Sequence, residues 1–389
     1  KTSGGSWSSW MENQLEEGVL YFNYRGYLGM SGFSSSNINN ANSGVKFPFA
    51  TILTCGTGSF AEDNTTMSES FLRSGSTSNP KGAVAAIGTA TWNTHTLFNN
   101  IVDMGIYDGL FADRVETAGA ALASGKFALL STYPGDHDDW VSAFTQWNNL
   151  MGDPATHLWT DTPTVLSVIH PLVLSFGTNF VDIAVYDEDE NPVEDAMITL
   201  LMGDDIIFTS GYTDEAGLLT MNLDYVSNGT ISITVTKQNC KPYENTIILH
   251  SDGAVVNLDN ELNVQIHDDD DGIVNPGEQF GLSIPIKNYG TENVYGISAT
   301  LQSFSEFVTI SNATVDYGDL LQGESEFGDD FVITLSETAI DREDMKLRLT
   351  IVDNASNEWN AVIPIDVFGG YLVSTGIFIQ GGGISPGET

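Results

Sequence analysis

Basic residues are scarce in this chain. Thirteen lysines and arginines stand against 52 aspartates and glutamates, a net charge of −39 over 389 residues. So acidic a surface repels nucleic acid and anionic lipid, and neither is expected as a partner. Cysteine is nearly absent: Cys55 and Cys240 are the only two, in segments that read as different domains, so there is no disulfide framework and no zinc spacing. No apolar run is long enough to cross a bilayer, and membrane insertion is not expected. The opening Lys1-Thr2-Ser3-Gly4-Gly5-Ser6 is small and polar, has no apolar segment of an export signal, and reads as a processing edge. What is present is 41% hydrophobic residues in a chain long enough for two to four domains with real cores. The acidic balance suits an extracellular protein in salty or calcium-bearing water, with most carboxylates simply solvated.

Residues 1 to 160 read as α/β. Ser8 or Ser9 caps a helix carrying Trp10, Met11 and Leu15, which Gly18 stops. Val19 to Tyr24 is an apolar strand. Residues 27 to 48, rich in Ser, Asn and Gly, form a long loop of the kind that carries function. A strand at Phe49–Thr54, a helix at Met67–Arg73 and a strand at Ala83–Ile87 follow, then three helical segments between Leu97 and Leu150. Near-continuous apolar strands alternating with helices predict a parallel sheet covered on both faces.

The pattern changes after Gly152-Asp153-Pro154. Residues 163 to 260 alternate apolar and polar positions between closely spaced turns, as in Ile231-Ser232-Ile233-Thr234-Val235-Thr236, and predict an Ig-like β-sandwich. A second sandwich is predicted over 261 to 369. Its Gly272-Ile273-Val274-Asn275-Pro276-Gly277-Glu278 is echoed 110 positions later by Gly383-Ile384-Ser385-Pro386-Gly387-Glu388. Residues 370 to 389 are therefore expected to be a tail that starts another such module, which marks the chain as a fragment of a longer polypeptide. Within that tail Tyr371–Ile379 is strand-like. It pairs within its own domain, is the first strand of the next module, or adds to an exposed edge of another copy.

Cys55 ends the apolar run that begins at Phe49 and is followed at once by Gly56-Thr57-Gly58. A thiol where a buried strand opens into a glycine turn can serve as a nucleophile, with the Gly56 backbone N–H as oxyanion donor and the side chain exposed by the turn.

Four stretches, in order, resemble the gingipain family of secreted cysteine peptidases: Asn23-Tyr24-Arg25-Gly26-Tyr27, Thr54-Cys55-Gly56-Thr57-Gly58-Ser59-Phe60, Gly82-Ala83-Val84-Ala85-Ala86-Ile87-Gly88 and Met151-Gly152-Asp153-Pro154. The resemblance implies a caspase-like α/β domain over 1–160, with Cys55 as nucleophile and an Ig-like module behind it. It also implies two departures. Tyr27 stands where the family places its catalytic histidine, and the chain starts at the helix before that strand, so the first half of a caspase-like sheet is expected to be a separate processed chain, or the domain to be incomplete. Trp92 falls where family members line their specificity pocket; as a plain aromatic it would instead pack beneath its loop.

The tyrosine matters chemically. A phenol with a pKa near ~10 cannot take a thiol proton at neutral pH as an imidazole can. Glu62 and Asp63 just downstream add negative charge. His95, in the loop after the third strand, lies on the same carboxyl-end rim and is the candidate substitute base. Farther on, Asp268 and Asp270 with Asn275 and Glu278 offer clustered oxygen ligands for Ca²⁺, although His267 spoils an EF-hand register; the alternative is a solvated acidic turn. Two functions are compatible with these residues. One is an exported or cell-surface bacterial cysteine endopeptidase, impaired by Tyr27, acting on protein or peptide substrates. The other is a non-catalytic surface protein that uses the peptidase fold and the sandwiches as an assembly scaffold, with other surface proteins or copies of itself as partners.

Overall fold

The structure, a computed structural model, describes residues 7–26, 28–30, 32–62, 64–92, 94–135, 139–203, 206–223, 229–267, 273–340 and 344–369. The chain divides into two compact units, Lys1–Thr164 with Gln238–Lys241, and Val165–Lys237 with Pro242–Thr389.

The first unit is built on a four-stranded sheet in the order β1 (Tyr21–Tyr24), β2 (Phe49–Ile52), β5 (Ala85–Thr89), β6 (Asn148–Met151). A small hairpin, β3 (Gly75–Ser76) and β4 (Asn79–Pro80), lies outside it. β1, β2 and β5 run parallel, with Tyr21 beside Phe49 and Phe49 beside Ala85. Every residue of β2 and β5 is buried, as a strand covered on both faces requires. Side chains alternate between two cores. Phe49, Leu53, Ala85 and Ile87 face α4 (Thr96–Phe111), α5 (Ala118–Thr132) and α6 (Trp140–Trp147). Ala50, Ile52 and Ala86 face α1 (Trp7–Glu17), α2 (Ser35–Asn40) and α3 (Met67–Arg73), whose buried contributions are Met11, Leu15, Ile38 and Phe71.

Two elements differ from the sequence expectation. The 27–48 loop contains α2, which forms because Asn37 Oδ1 accepts from the Ser34 backbone N–H at 2.9 Å, closing a capping box, while Ile38 drops into the core. The helical stretch ends at Trp147, and Asn148–Met151 turns back as β6, antiparallel to β5, so the sheet is mixed and not purely parallel. Asn148 explains the switch: it is fully buried and its side chain bonds Thr89 Oγ1 at 2.8 Å and the Phe144 carbonyl at 3.0 Å, pinning the helix end to the sheet.

The second unit is β throughout the described residues. A three-stranded antiparallel sheet pairs Leu218–Asn222, Phe180–Tyr186 and Ser167–Ile169. A five-stranded sheet orders Ile207–Tyr212, Met197–Met202, Gly229–Thr236, Tyr243–His250 and Val173–Ser175. Val181, Ile183 and Val185 of one, and Ile198, Leu200, Ile231, Ile233 and Val235 of the other, are buried, the period-2 pattern expected of strands with one face on a core. Residues 256–367 make three further sheets around one core that includes Phe280, Phe331 and Trp359. Val256 and Leu258 belong to that core through pairing of Val256–Leu258 with Pro285–Asn288, so the last module begins before residue 261. The Pro-Gly-Glu repeat at 386–388 lies outside the described residues.

Candidate active site around Cys55

The three parallel strands end at one rim. Beyond β1 and β2 the chains stay side by side, with Leu28 bridged to Cys55 in parallel sense. The turn after Cys55 is compact. Gly56 has φ +73°, and a Cβ there would meet the Trp92 indole at 2.8 Å, so both conformation and space call for glycine. Thr57, buried, uses its hydroxyl to tie the Ile52 and Thr54 carbonyls together, and Gly58 packs directly on the Gly88 backbone.

Cys55 is covered. It is only 6% exposed, and its Sγ lies 2.7 Å from Thr94 Oγ1. The expectation that the turn exposes the thiol is therefore overturned, because the segment after β5 folds back across the turn: the Gly56 N–H donates to the Thr91 carbonyl at 2.8 Å and Trp92 lies over Gly56. That hydrogen bond also occupies the N–H expected to stabilise an oxyanion. Trp92 itself is 57% exposed and donates through Nε1 to Glu62 Oε1 at 3.1 Å, so it is an outer cover of the turn.

His95 is the N-cap of α4. Its Nδ1 accepts from the Leu97 N–H at 3.2 Å and its ring meets Phe98 edge-on, which commits that nitrogen to the helix. Tyr27 lies outside the described residues, as do Asp63, His137, Asp268 and Asp270.

Residues not singled out from the sequence join β1 and β2 to α4. Arg25 donates from Nε and Nη2 to Asn100 Oδ1 at 3.1 and 2.6 Å, and from Nη2 to the Thr96 carbonyl at 3.2 Å. Its Nη1 is buried without a hydrogen-bond partner among the described residues. Burial lowers the proton affinity of this guanidinium, while the charges of Asp103 and of ionised Cys55 raise it. Asp103, on α4, accepts from Asn23 Nδ2 at 3.0 Å; burial pushes its carboxyl up, against the opposing pull of Arg25 and Asn23. Tyr107, one turn farther along α4, meets Thr51 Oγ1 at 2.7 Å, and burial raises its phenol as well. On the same side Tyr21 is pushed up to about 12, mainly by burial. The only hint in the sequence was position: Arg25 sits two residues before Tyr27, but nothing local showed that α4 would come beneath it.

The remaining candidates lie far along the chain. In the second unit the Asn275 N–H donates to Glu278 Oε2 at 2.8 Å, and Glu278 Oε1 is buried with no partner among the described residues. His267 Nδ1 sits 2.8 Å from Asp330 Oδ2. Among the described residues no three His, Cys, Asp or Glu side chains converge as metal ligands. Cys240 is a partly exposed free thiol.

A cysteine at the rim of three parallel strands in a helix-covered sheet, followed by a glycine turn, marks an α/β domain with a candidate nucleophile. Residues 2–159 match the family model for Peptidase family C25. Gingipain R (RgpB), an Arg-specific cysteine proteinase, superposes with a TM-score of 0.53 at 18% identity, over 64% of this chain and 57% of that one. The complex of RgpB pro- and mature domains from Porphyromonas gingivalis gives 0.52 at 19% identity, over 64% and 58%. A third structure, described as a protease, gives 0.51 at 17%, over 61% and 55%. This chain thus spans somewhat over half the length of the structures it matches. No curated protein matches it. The first domain is a gingipain-like peptidase domain. No described helix is long and apolar enough to cross a membrane.

Proposed function

We propose that the protein is an exported or cell-surface bacterial member of the gingipain-like cysteine peptidases, with Cys55 as nucleophile, protein or peptide substrates, and turnover impaired because Tyr27 stands at the position the family gives to histidine. The observation that carries this reading is the placement of Cys55 at the carboxyl rim of the parallel strands, bridged to Leu28 and followed by the glycine turn. The net charge of −39 supports the approach of basic substrates. The β region from Val165 onward, with its alternating strands, is read as Ig-like sandwiches that hold the peptidase domain at the surface.

A peptidyl acyloxymethyl ketone tests this. It should label the protein slowly but to one equivalent, at Cys55, with labelling lost in Cys55→Ala and Cys240 untouched. Labelling no faster than that of a small free thiol would overturn the reading.

A second reading, a non-catalytic scaffold, starts from the covered sulfur and from the Gly56 N–H and His95 Nδ1 being engaged. Under it the same probe leaves Cys55 unmodified while the fold stays intact.

A further inference from the structure

We propose that Thr91, Trp92 and Thr94 form an autoinhibitory strap across the Cys55 turn, which an incoming substrate chain must lift before the thiol can act. The inference rests on the peptidase reading and names how that site is regulated.

The strap runs between two fixed ends. On one side β5 is buried throughout, and the residue after it, Ala90, donates its N–H to the Trp147 carbonyl at 2.8 Å. On the other, His95 caps α4 through the Leu97 N–H. Between these ends the chain folds back over the cysteine. The Thr91 carbonyl accepts from the Gly56 N–H at 2.8 Å, the Trp92 indole lies over Gly56, and Thr94 Oγ1 is 2.7 Å from Sγ. The first contact takes the amide that an oxyanion would use, and the last covers the nucleophile itself. One segment therefore blocks attack and oxyanion binding together.

The same segment is built to move. Trp92 is mostly exposed, and its Nε1 donates to Glu62, itself exposed, at 3.1 Å. Water competes for a hydrogen bond at the surface, so this tie is weak. Thr91 has φ +76°, a conformation that a β-branched residue rarely adopts and that costs energy. It is imposed from both sides: the Ser59 hydroxyl accepts from the Thr91 N–H at 2.9 Å, and Gly56 holds the carbonyl. Lifting the strap relieves that strain. A substrate carbonyl that replaces the Thr91 carbonyl on the Gly56 N–H keeps the number of hydrogen bonds unchanged, and no proton moves in the exchange.

The test is the rate at which iodoacetamide, small and uncharged, alkylates Cys55 in the full chain carrying Cys240→Ser, with folding checked by circular dichroism. The parent should react more slowly than a small free thiol. Trp92→Phe keeps a ring and the Glu62 charge but loses the Nε1 donor, and it should react about threefold faster or more. Thr91→Gly adopts the same backbone without strain, holds the strap down, and should react about threefold slower. Glu62→Gln removes the charge and keeps an acceptor, so its rate should stay near that of the parent. A folded Trp92→Phe that reacts at the parent's rate overturns the proposal, and so does an equal rise in Glu62→Gln, which would assign the effect to charge. Where Trp92→Phe does not fold, Thr91→Gly decides: a rate equal to or above the parent's overturns the strap. A parent as reactive as a free thiol overturns it as well. The peptidyl probe reads the peptidase assignment separately. Alkylation that follows the strap variants, without peptidyl labelling, leaves this inference standing and removes the peptidase reading; peptidyl labelling with alkylation indifferent to those variants does the reverse.

Discussion

Thr94 Oγ1 and Cys55 Sγ lie 2.7 Å apart, joining the loop after β5 to the turn after β2. The contact makes a threonine, in the loop that also presents His95, a hydrogen-bond partner of the sulfur. Replacing it by valine keeps the shape and removes the bond. Thr94→Val should lose about 0.5–1.5 kcal/mol of stability in urea unfolding. A midpoint equal to that of the parent would show that the contact contributes nothing.

Gly56 and Trp92 are coupled by space. With φ +73° and the indole 2.8 Å from where a Cβ would stand, Gly56→Ala is expected to cost about 1–3 kcal/mol. Adding Trp92→Ala should recover the part owed to crowding and leave the part owed to the backbone. A double-mutant cycle measures the split, and additive losses would mean the indole simply swings aside.

Asp103 gives a pH dependence of defined sign. Its carboxyl is raised in the folded state, chiefly by burial. Its contribution to stability is then complete below the unfolded carboxylate pKa and is lost as pH climbs through the higher folded value. The melting temperature of the parent minus that of Asp103→Asn should therefore decrease from about pH 3 to pH 6. An increase over that window would mean that the attraction of Arg25 outweighs burial.

Glu278 carries the calcium expectation into the structure. Its Oε2 caps the turn at Asn275 while Oε1 is buried with no partner among the described residues, and a cation would satisfy it. We propose that millimolar Ca²⁺ binds at this turn, so melting should occur several degrees higher than in chelator, with the gain lost in Glu278→Gln. Equal melting temperatures in Ca²⁺ and chelator would leave an acidic turn and no metal site.

Much of the first domain could be read in advance. The helix at Met67–Arg73 has the bounds its pattern suggested, three helices fill the region after Leu97, β1 and β2 fall within the apolar runs, and β5 starts two residues later and runs two residues further than the expected Ala83–Ile87. Such elements are legible because their signals are local: apolar period, capping residues and glycine stops. α2 and β6 were missed for the opposite reason. Ser34–Asn40 is polar enough to pass for loop until Ile38 finds a core, and Asn148–Met151 continues a helical pattern that only buried hydrogen bonds to Thr89 and Phe144 interrupt.

The site divides in the same way. The sequence by itself determined that a single thiol follows a buried strand at a glycine turn, that the residue two places after Arg25 is a tyrosine, and that carboxylates far outnumber cations. Those are matters of residue type and spacing. Only the tertiary structure decided that the thiol is covered, that His95 and the Gly56 N–H are engaged elsewhere, and that the Arg25 guanidinium is held on Asn100 of α4. Cys55, Thr94 and Arg25 come from three separate segments, and what a sulfur can do depends on the charges and hydrogen bonds that packing sets around it.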